Sequence, residues 1–211
     1  MSFAKMRMED FLKELAQGTP TPGGGSVAAL CGAIGLSLCA MVARVTHNKE
    51  KYRHAWDDME TVMLQGDRFR NSFLELVDAD AKAYNQVVSA VLMSKTTAKE
   101  KALRDKALLL ANQKAAEIPL KTAALMVKII PLLEVLIDKG NPNCITDVGT
   151  AVQLIRAATH AAAYNVQFNL TAVKDKEYVK ISLTQLGHIA NKVDEEVAVL
   201  EKKVASAIDP N

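Results

Sequence analysis

The sequence predicts an all-α fold: a single-domain helical bundle, spanning 1–211, of about seven helices around a small-residue-rich buried central helix. Three observations predict it. Apolar residues recur at helical spacing along almost the whole chain, and no run alternates as a half-buried strand would. The hydrophobic fraction is 49% while aromatics make up only 5%, so the core draws on Ala, Val, Leu, Ile and Met, which suit close helix packing. Finally, the segment from Thr19 to Ala43 carries no charge, and Cys31, Gly35, Cys39 and Ala43 recur every four residues. That spacing leaves one helix face nearly bare, so that a neighbouring backbone can approach.

The helices follow from periodicity and punctuation. The first covers about 5–17 and stops at Gly18, before TPTP. The second runs from about 26 to 47 and the third from near Tyr52 towards Met93, with Gly66 as a possible bend rather than a stop. SKTTAKEK supplies a turn in which Thr96 or Thr97 caps the fourth helix, with Glu100 at capping-box spacing from Thr97. That helix is expected to reach about Glu117, Pro119 to open a fifth, and Pro131 to kink it. Lys139-Gly140 is a stop signal. A sixth helix over about 147–171 and a seventh over about 175–206 complete the bundle.

Composition also excludes some functions. With 26 Lys+Arg against 24 Asp+Glu, nothing points to nucleic acid. The uncharged run is long enough for a bilayer, but its glycines, alanines and serines are small rather than greasy, and no second span accompanies it, so no membrane is expected. Cys31 and Cys39 would sit roughly 12 Å apart on one helix, too far for a disulfide. With Cys144 and a charged, amphipathic start, they predict free thiols and a cytoplasmic chain. His47, His54, His160 and His188 show no metal-ligand spacing and there is no CxxC pair, so no metal is expected. Cys144 has no base nearby in sequence and is not read as a nucleophile.

Four stretches look unlike packing. Gly23, Gly24, Gly25 and Ser26 precede a helix, where bare N–H groups attract anions. The alternative is a plain turn capped by Ser26. In VDADAKAY, Asp80 and Tyr84 share a helix face while Asp78 points elsewhere; an ordinary solvated acidic face is the alternative. In GNPNCITD, Asn141 opens a turn and Thr146 or Asp147 is placed to cap the next helix, or these side chains line a polar pocket. In YNVQFNL, Asn165 and Asn169 lie mid-helix, where asparagine is a poor helix former. A straight helix would put Asn165 on the face of Asp147 but roughly 27 Å away. A long ligand, a broken helix or a neighbouring subunit would reconcile the two. Lys49 and Lys51 read either as exposed lysines or as holders of an anionic substrate tail.

TPTPGGGS, VDADAKAY, AEIPL, GNPNCITD and YNVQFNL together resemble the cyclodeaminase/cyclohydrolase family of folate enzymes, which includes the C-terminal domain of formiminotransferase-cyclodeaminase. The likeness runs from about Met8 to Asp194. Thr146 stands where the family often has serine, and Glu50 interrupts the basic residues near position 52. The resemblance implies an all-helical enzyme, dimeric or larger, acting on the one-carbon bridge between nitrogens 5 and 10 of tetrahydrofolate. The leading reaction is cyclisation of 5-formimino-tetrahydrofolate to 5,10-methenyl-tetrahydrofolate with loss of ammonia; the alternative is hydrolysis of the latter to 10-formyl-tetrahydrofolate. The folate is substrate, and no cofactor is implied. Asp147 and Asp80 are then the catalytic candidates, with Tyr84 as auxiliary proton donor. Asn141, Asn165 and Asn169 would bind the pterin or the developing amine, and Ser26 and the glycine N–H groups a polar or anionic part of the folate. A non-catalytic helical scaffold and a membrane-associated protein are the readings from other classes.

Overall fold

A computed structural model describes residues 2–209. It contains seven α-helices: α1 (Met8–Leu15), α2 (Gly24–His47), α3 (Trp56–Val91), α4 (Ala98–Met126), α5 (Ile130–Lys139), α6 (Ile145–Leu170) and α7 (Lys176–Ile208). Short 3-10 turns at Phe3–Lys5, Glu50–Ala55 and Pro142–Cys144 lead into α1, α3 and α6, and no strand occurs among the described residues. Gly66 leaves α3 unbroken. The capping box forms as its spacing predicts: the Glu100 N–H donates to Thr97 Oγ1 at 3.2 Å, and the Thr97 N–H donates to Glu100 Oε2 at 2.8 Å.

Three local expectations are corrected. Pro119 does not open a helix; α4 runs through it to Met126. Pro131 does not kink one either, because a turn over 127–129 separates the helices and Pro131 lies in the first turn of α5, where a missing N–H costs nothing. Neither Thr146 nor Asp147 caps α6. The helix begins at Ile145, continuing the 3-10 turn, which leaves Asp147 inside the first turn.

α2 is the axis of the bundle, packed between α3 and α6, with α4 against α3 and α6, and α7 on α6. Its length and composition would suit a membrane, but 61% of its most apolar window lies inside the bundle. Its small residues explain how the neighbours come so near. A Cβ on Gly35 would lie 3.7 Å from the Ala151 carbonyl of α6, and one on Gly66 3.9 Å from the Leu36 carbonyl. Around this axis Leu36, Met59, Phe73, Met126, Leu133 and Ile155 are fully buried. Each such side chain stabilises the fold by about 1.5–3 kcal/mol. Burial also pushes the Cys39 thiol up to about 12, so that it acts as a small apolar group.

Gly32 is a tight point of this core. A methyl group there would come 2.7 Å from Phe73 Cε1 and 2.8 Å from Met126 Cε. Alanine would improve helix propensity by about 1 kcal/mol, but overpacking costs about 1–3 kcal/mol. Gly32→Ala is therefore expected to lower the melting temperature; an unchanged or higher value would show that the Phe73 ring can yield.

Candidate active site

A cavity of about 370 Å³ lies at the N-terminal end of α2. Gly23, Gly24 and Gly25 form one wall, Asp80 and Tyr84 of α3 another, and Asn165, Phe168 and Asn169 of α6 a third, with Asn112 and Ala115 of α4 closing it.

Asp80 is the only ionisable carboxyl in that lining. Its Oδ2 lies 3.0 Å from the Ser26 hydroxyl, which is also 3.0 Å from the Val77 carbonyl, and the Ser26 N–H points at the same carboxyl. The first turn of α2 therefore holds a carboxylate of its own protein. Burial nevertheless pushes the Asp80 carboxyl above its ordinary range, and the two bonds from Ser26 only partly offset this. Such an acid can both take and give a proton closer to neutrality than a solvated aspartate. The close approach needs glycine: a Cβ on Gly25 would collide with the Asp80 carboxyl group.

Ser26 is fully buried and does not line the cavity. It stands two residues inside α2, which has Gly23 as N-cap, so it does not cap the helix; it orients Asp80. Asp78 faces away, accepting from Ser2 Oγ at 2.6 Å and the Ala4 N–H at 3.2 Å.

The two asparagines are held by their amide groups. Asn165 Nδ2 donates to the Ala161 carbonyl at 2.8 Å, and its side chain lies beside Gly24. Asn169 Nδ2 donates to the Ala115 carbonyl at 2.7 Å. That carbonyl is available because its helical partner would be the N–H of residue 119, and Pro119 has none. Each bond uses one of the two N–H groups of its amide, and neither side-chain oxygen accepts a hydrogen bond among the described residues, so both oxygens are available to accept from a ligand. Asn112, whose Nδ2 donates to the Ala172 carbonyl at 3.2 Å, completes the polar lining. It is absent from the sequence reading, although a lone asparagine within an Ala- and Leu-rich helix is the same kind of signal that marks Asn165.

The other candidates lie elsewhere. Asn141 is 3% exposed; its N–H donates to Thr46 Oγ1 at 2.9 Å, and its Oδ1 accepts from Tyr52 Oη at 3.0 Å and the Asn143 N–H at 3.2 Å. It fastens the C-terminal end of α2 to the start of α6. Thr146, Asp147, Lys49 and Lys51 belong to that same end, with Lys51 Nζ 4.6 Å from the centroid of the Tyr52 ring. Because α2 has 24 residues, this end stands on the order of 35 Å from the cavity. The chain thus gathers Gly23, Gly24, Gly25, Asp80, Tyr84, Asn165 and Asn169 and leaves Asn141, Thr146, Asp147, Lys49 and Lys51 apart. Among the described residues, no group of three His, Cys, Asp or Glu side chains is arranged to hold a metal.

Residues 7–187 match the formiminotransferase-cyclodeaminase family. The chain is 34% identical over 179 residues to the methenyltetrahydrofolate cyclohydrolase of Methylorubrum extorquens, covering 85% of this chain and 86% of that protein. It is 27% identical over 190 residues to the formimidoyltransferase-cyclodeaminase of Rattus norvegicus, covering 90% of this chain but only 35% of the longer relative. The crystal structure of formiminotetrahydrofolate cyclodeaminase from Thermotoga maritima superposes with a TM-score of 0.86 at 26% identity, over 97% of this chain and 98% of that one.

Proposed function

The chain belongs to the formiminotransferase-cyclodeaminase family, and from that premise we propose that its cavity cyclises 5-formimino-tetrahydrofolate to 5,10-methenyl-tetrahydrofolate with release of ammonia. The observation that carries this reading is the Asp80 carboxyl, held above its ordinary range at the wall of a cavity that Tyr84, Asn165 and Asn169 also line. In the reaction, nitrogen 10 attacks the formimino carbon and loses its proton, giving a tetrahedral centre. The amino group leaves as ammonia once it has gained a proton. One carboxyl able to accept the first proton and deliver the second meets both needs. The amide oxygens of Asn165 and Asn169 are suited to the N–H groups of the pterin and of the departing amine, and the Tyr84 hydroxyl is a second donor. No cofactor is called for, because every step is a proton transfer, an addition at carbon or the departure of ammonia from that carbon.

A second reading, hydrolysis of 5,10-methenyl-tetrahydrofolate to 10-formyl-tetrahydrofolate, is favoured by the 34% identity to the Methylorubrum cyclohydrolase over most of that protein's length. The same carboxyl would then direct water to the same carbon. We take the protein to act as a single domain in the cytoplasm, as a homodimer or larger assembly. Support comes from the free thiols of Cys31, Cys39 and Cys144 and from the apolar residues that α2 keeps outside the bundle.

The near-ultraviolet band of 5,10-methenyl-tetrahydrofolate reads both reactions. Growth of that band together with ammonia, from 5-formimino-tetrahydrofolate and above a protein-free control, is the expected result. Faster loss of the band from added 5,10-methenyl-tetrahydrofolate, with no ammonia-yielding reaction, would replace the first reading by the second. Neither signal would overturn both.

A further inference from the structure

The cavity runs from an acidic wall to an amide wall. Asn165 stands beside Gly24, next to the glycine that faces Asp80. Asn169 lies one turn further along α6, and Asn112 of α4 bonds at the level of Ala172, just past the end of that helix. The span from Asn165 to that level is about 10 Å. Asn169 Nδ2 reaches across to the Ala115 carbonyl of α4 at 2.7 Å, and Asn112 Nδ2 reaches back to the Ala172 carbonyl at 3.2 Å. These two crossing bonds are less than a turn apart, which sets the amides side by side, each fixed by a main-chain oxygen. Each amide keeps a second N–H, and an oxygen that accepts no hydrogen bond among the described residues. Phe168 lines the same cavity and is 76% exposed, so its ring is largely uncovered. Fixed donor–acceptor pairs beside a bare aromatic ring are how proteins hold a flat, hydrogen-bonding heterocycle. Side-chain amides pair with its edge, and the ring stacks on its face.

We propose that Asn112 and Asn169, with Phe168 against the ring face, bind the pyrimidine ring of the reduced pterin, and that Asn112 Oδ1 accepts from its 2-amino group and sets selectivity for it. The order of the side chains follows the order of the ligand's atoms. In a pterin the 4-oxo group neighbours nitrogen 5, where the one-carbon bridge is made, and the 2-amino group is the polar group farthest from that nitrogen. With the bridge at Asp80, the remaining N–H of Asn169 is placed to donate to the 4-oxo oxygen. Asn112, at the far end of the amide wall, then meets the 2-amino group. Asn165, beside the glycine loop, is left for the departing amine. Chemistry and recognition thus fall to different helices: α3 brings the acid, and α4 with the end of α6 brings the amides. Because both amides are anchored before any ligand arrives, little ordering is left to offset the bonds they make.

The proposal deepens the folate reading above, and its activity readout rests on that reading; binding of a bare ring does not. The probes are 6-methyl-tetrahydropterin, which has neither bridge nor tail, and its lumazine analogue, in which an oxo group replaces the 2-amino group. Both are titrated calorimetrically, without oxygen, into the wild-type chain and two variants. The wild type is expected to bind the pterin about 10–100-fold more tightly than the lumazine, the range for an acceptor that loses its donor. Asn112→Leu is expected to lose that preference, and to raise the folate KM by a similar factor with kcat within about twofold, as loss of uniform binding does. Asn112→Asp, which keeps the acceptor but not the N–H to Ala172, is expected to keep the preference. No binding of the bare pterin, equal affinity of the wild type for both rings, or an unchanged preference in Asn112→Leu would each overturn the proposal. So would loss of the preference in both variants, because the Ala172 bond would then be the whole role of Asn112. If the wild-type chain turns over neither folate yet discriminates the rings through Asn112, the folate reading fails alone and the subsite stands. Turnover without discrimination gives the reverse.

Discussion

Replacing Asp80 by asparagine is expected to lower kcat by about 10²–10⁴-fold, the usual contribution of a positioned acid–base group, while leaving the fold at least as stable. The two effects diverge for one reason. Burial raises the carboxyl above its ordinary value of 3.8, so the folded state holds that proton to a higher pH than the unfolded chain does. In that interval the folded state binds more protons, and stability falls as pH rises through it. Above the interval the loss is complete and constant. The asparagine variant never ionises and escapes it, so its stability advantage should be absent well below 3.8, grow as pH rises through the raised value, and then level off. Urea denaturation of both proteins across that range reads the sign. A variant less stable than the parent at neutral pH would mean that Ser26 stabilises the carboxylate more than burial penalises it.

Gly25→Ala should produce nearly the same loss of activity without touching an ionisable group. The added methyl and the Asp80 carboxyl cannot occupy one space, so the carboxyl must swing away from the Ser26 hydroxyl and N–H. Hydrogen bonds to a charged group contribute about 1.5–3 kcal/mol. A loss of stability on that scale is expected in the parent, and almost none once Asp80 has been changed to alanine. The double-mutant cycle isolates the contact, and a coupling above about 1 kcal/mol is expected between groups this close. Additive effects would mean that the first turn of α2 moves as a unit and the carboxyl stays where it is.

How far the architecture can be read without coordinates depends on whether the deciding interaction is local. The helices, the Thr97–Glu100 capping box and the free passage of α3 through Gly66 follow from residues within a turn of one another. Ser26 is a different matter. A serine behind three glycines has the composition of a cap, and only the arrival of Asp80 from α3 turns it into a buried donor. Asp147 likewise has the composition of a cap, yet the 3-10 turn at Pro142–Cys144 starts the helix early and draws it inside. The spacing did separate Asp147 from Asn165 by five turns, and the unbroken α6 that carries both keeps them at opposite ends. The pairing of Asp80 with the glycine loop, by contrast, joins residues more than fifty positions apart, and no periodicity reports it.

The two prolines differ for the same reason, and one of them bears on how this chain can evolve. Pro119 leaves the Ala115 carbonyl with Asn169 as its partner. Any other residue at 119 would bring a backbone N–H to the same oxygen at helical geometry, a competing donor. The helix would be more stable by up to about 3 kcal/mol, and Asn169 would lose its sole claim to its anchor. A substitution that selection for heat resistance would favour in α4 is thus one that selection for turnover would oppose, because the gap in one helix's bonding is what holds another helix's side chain in place.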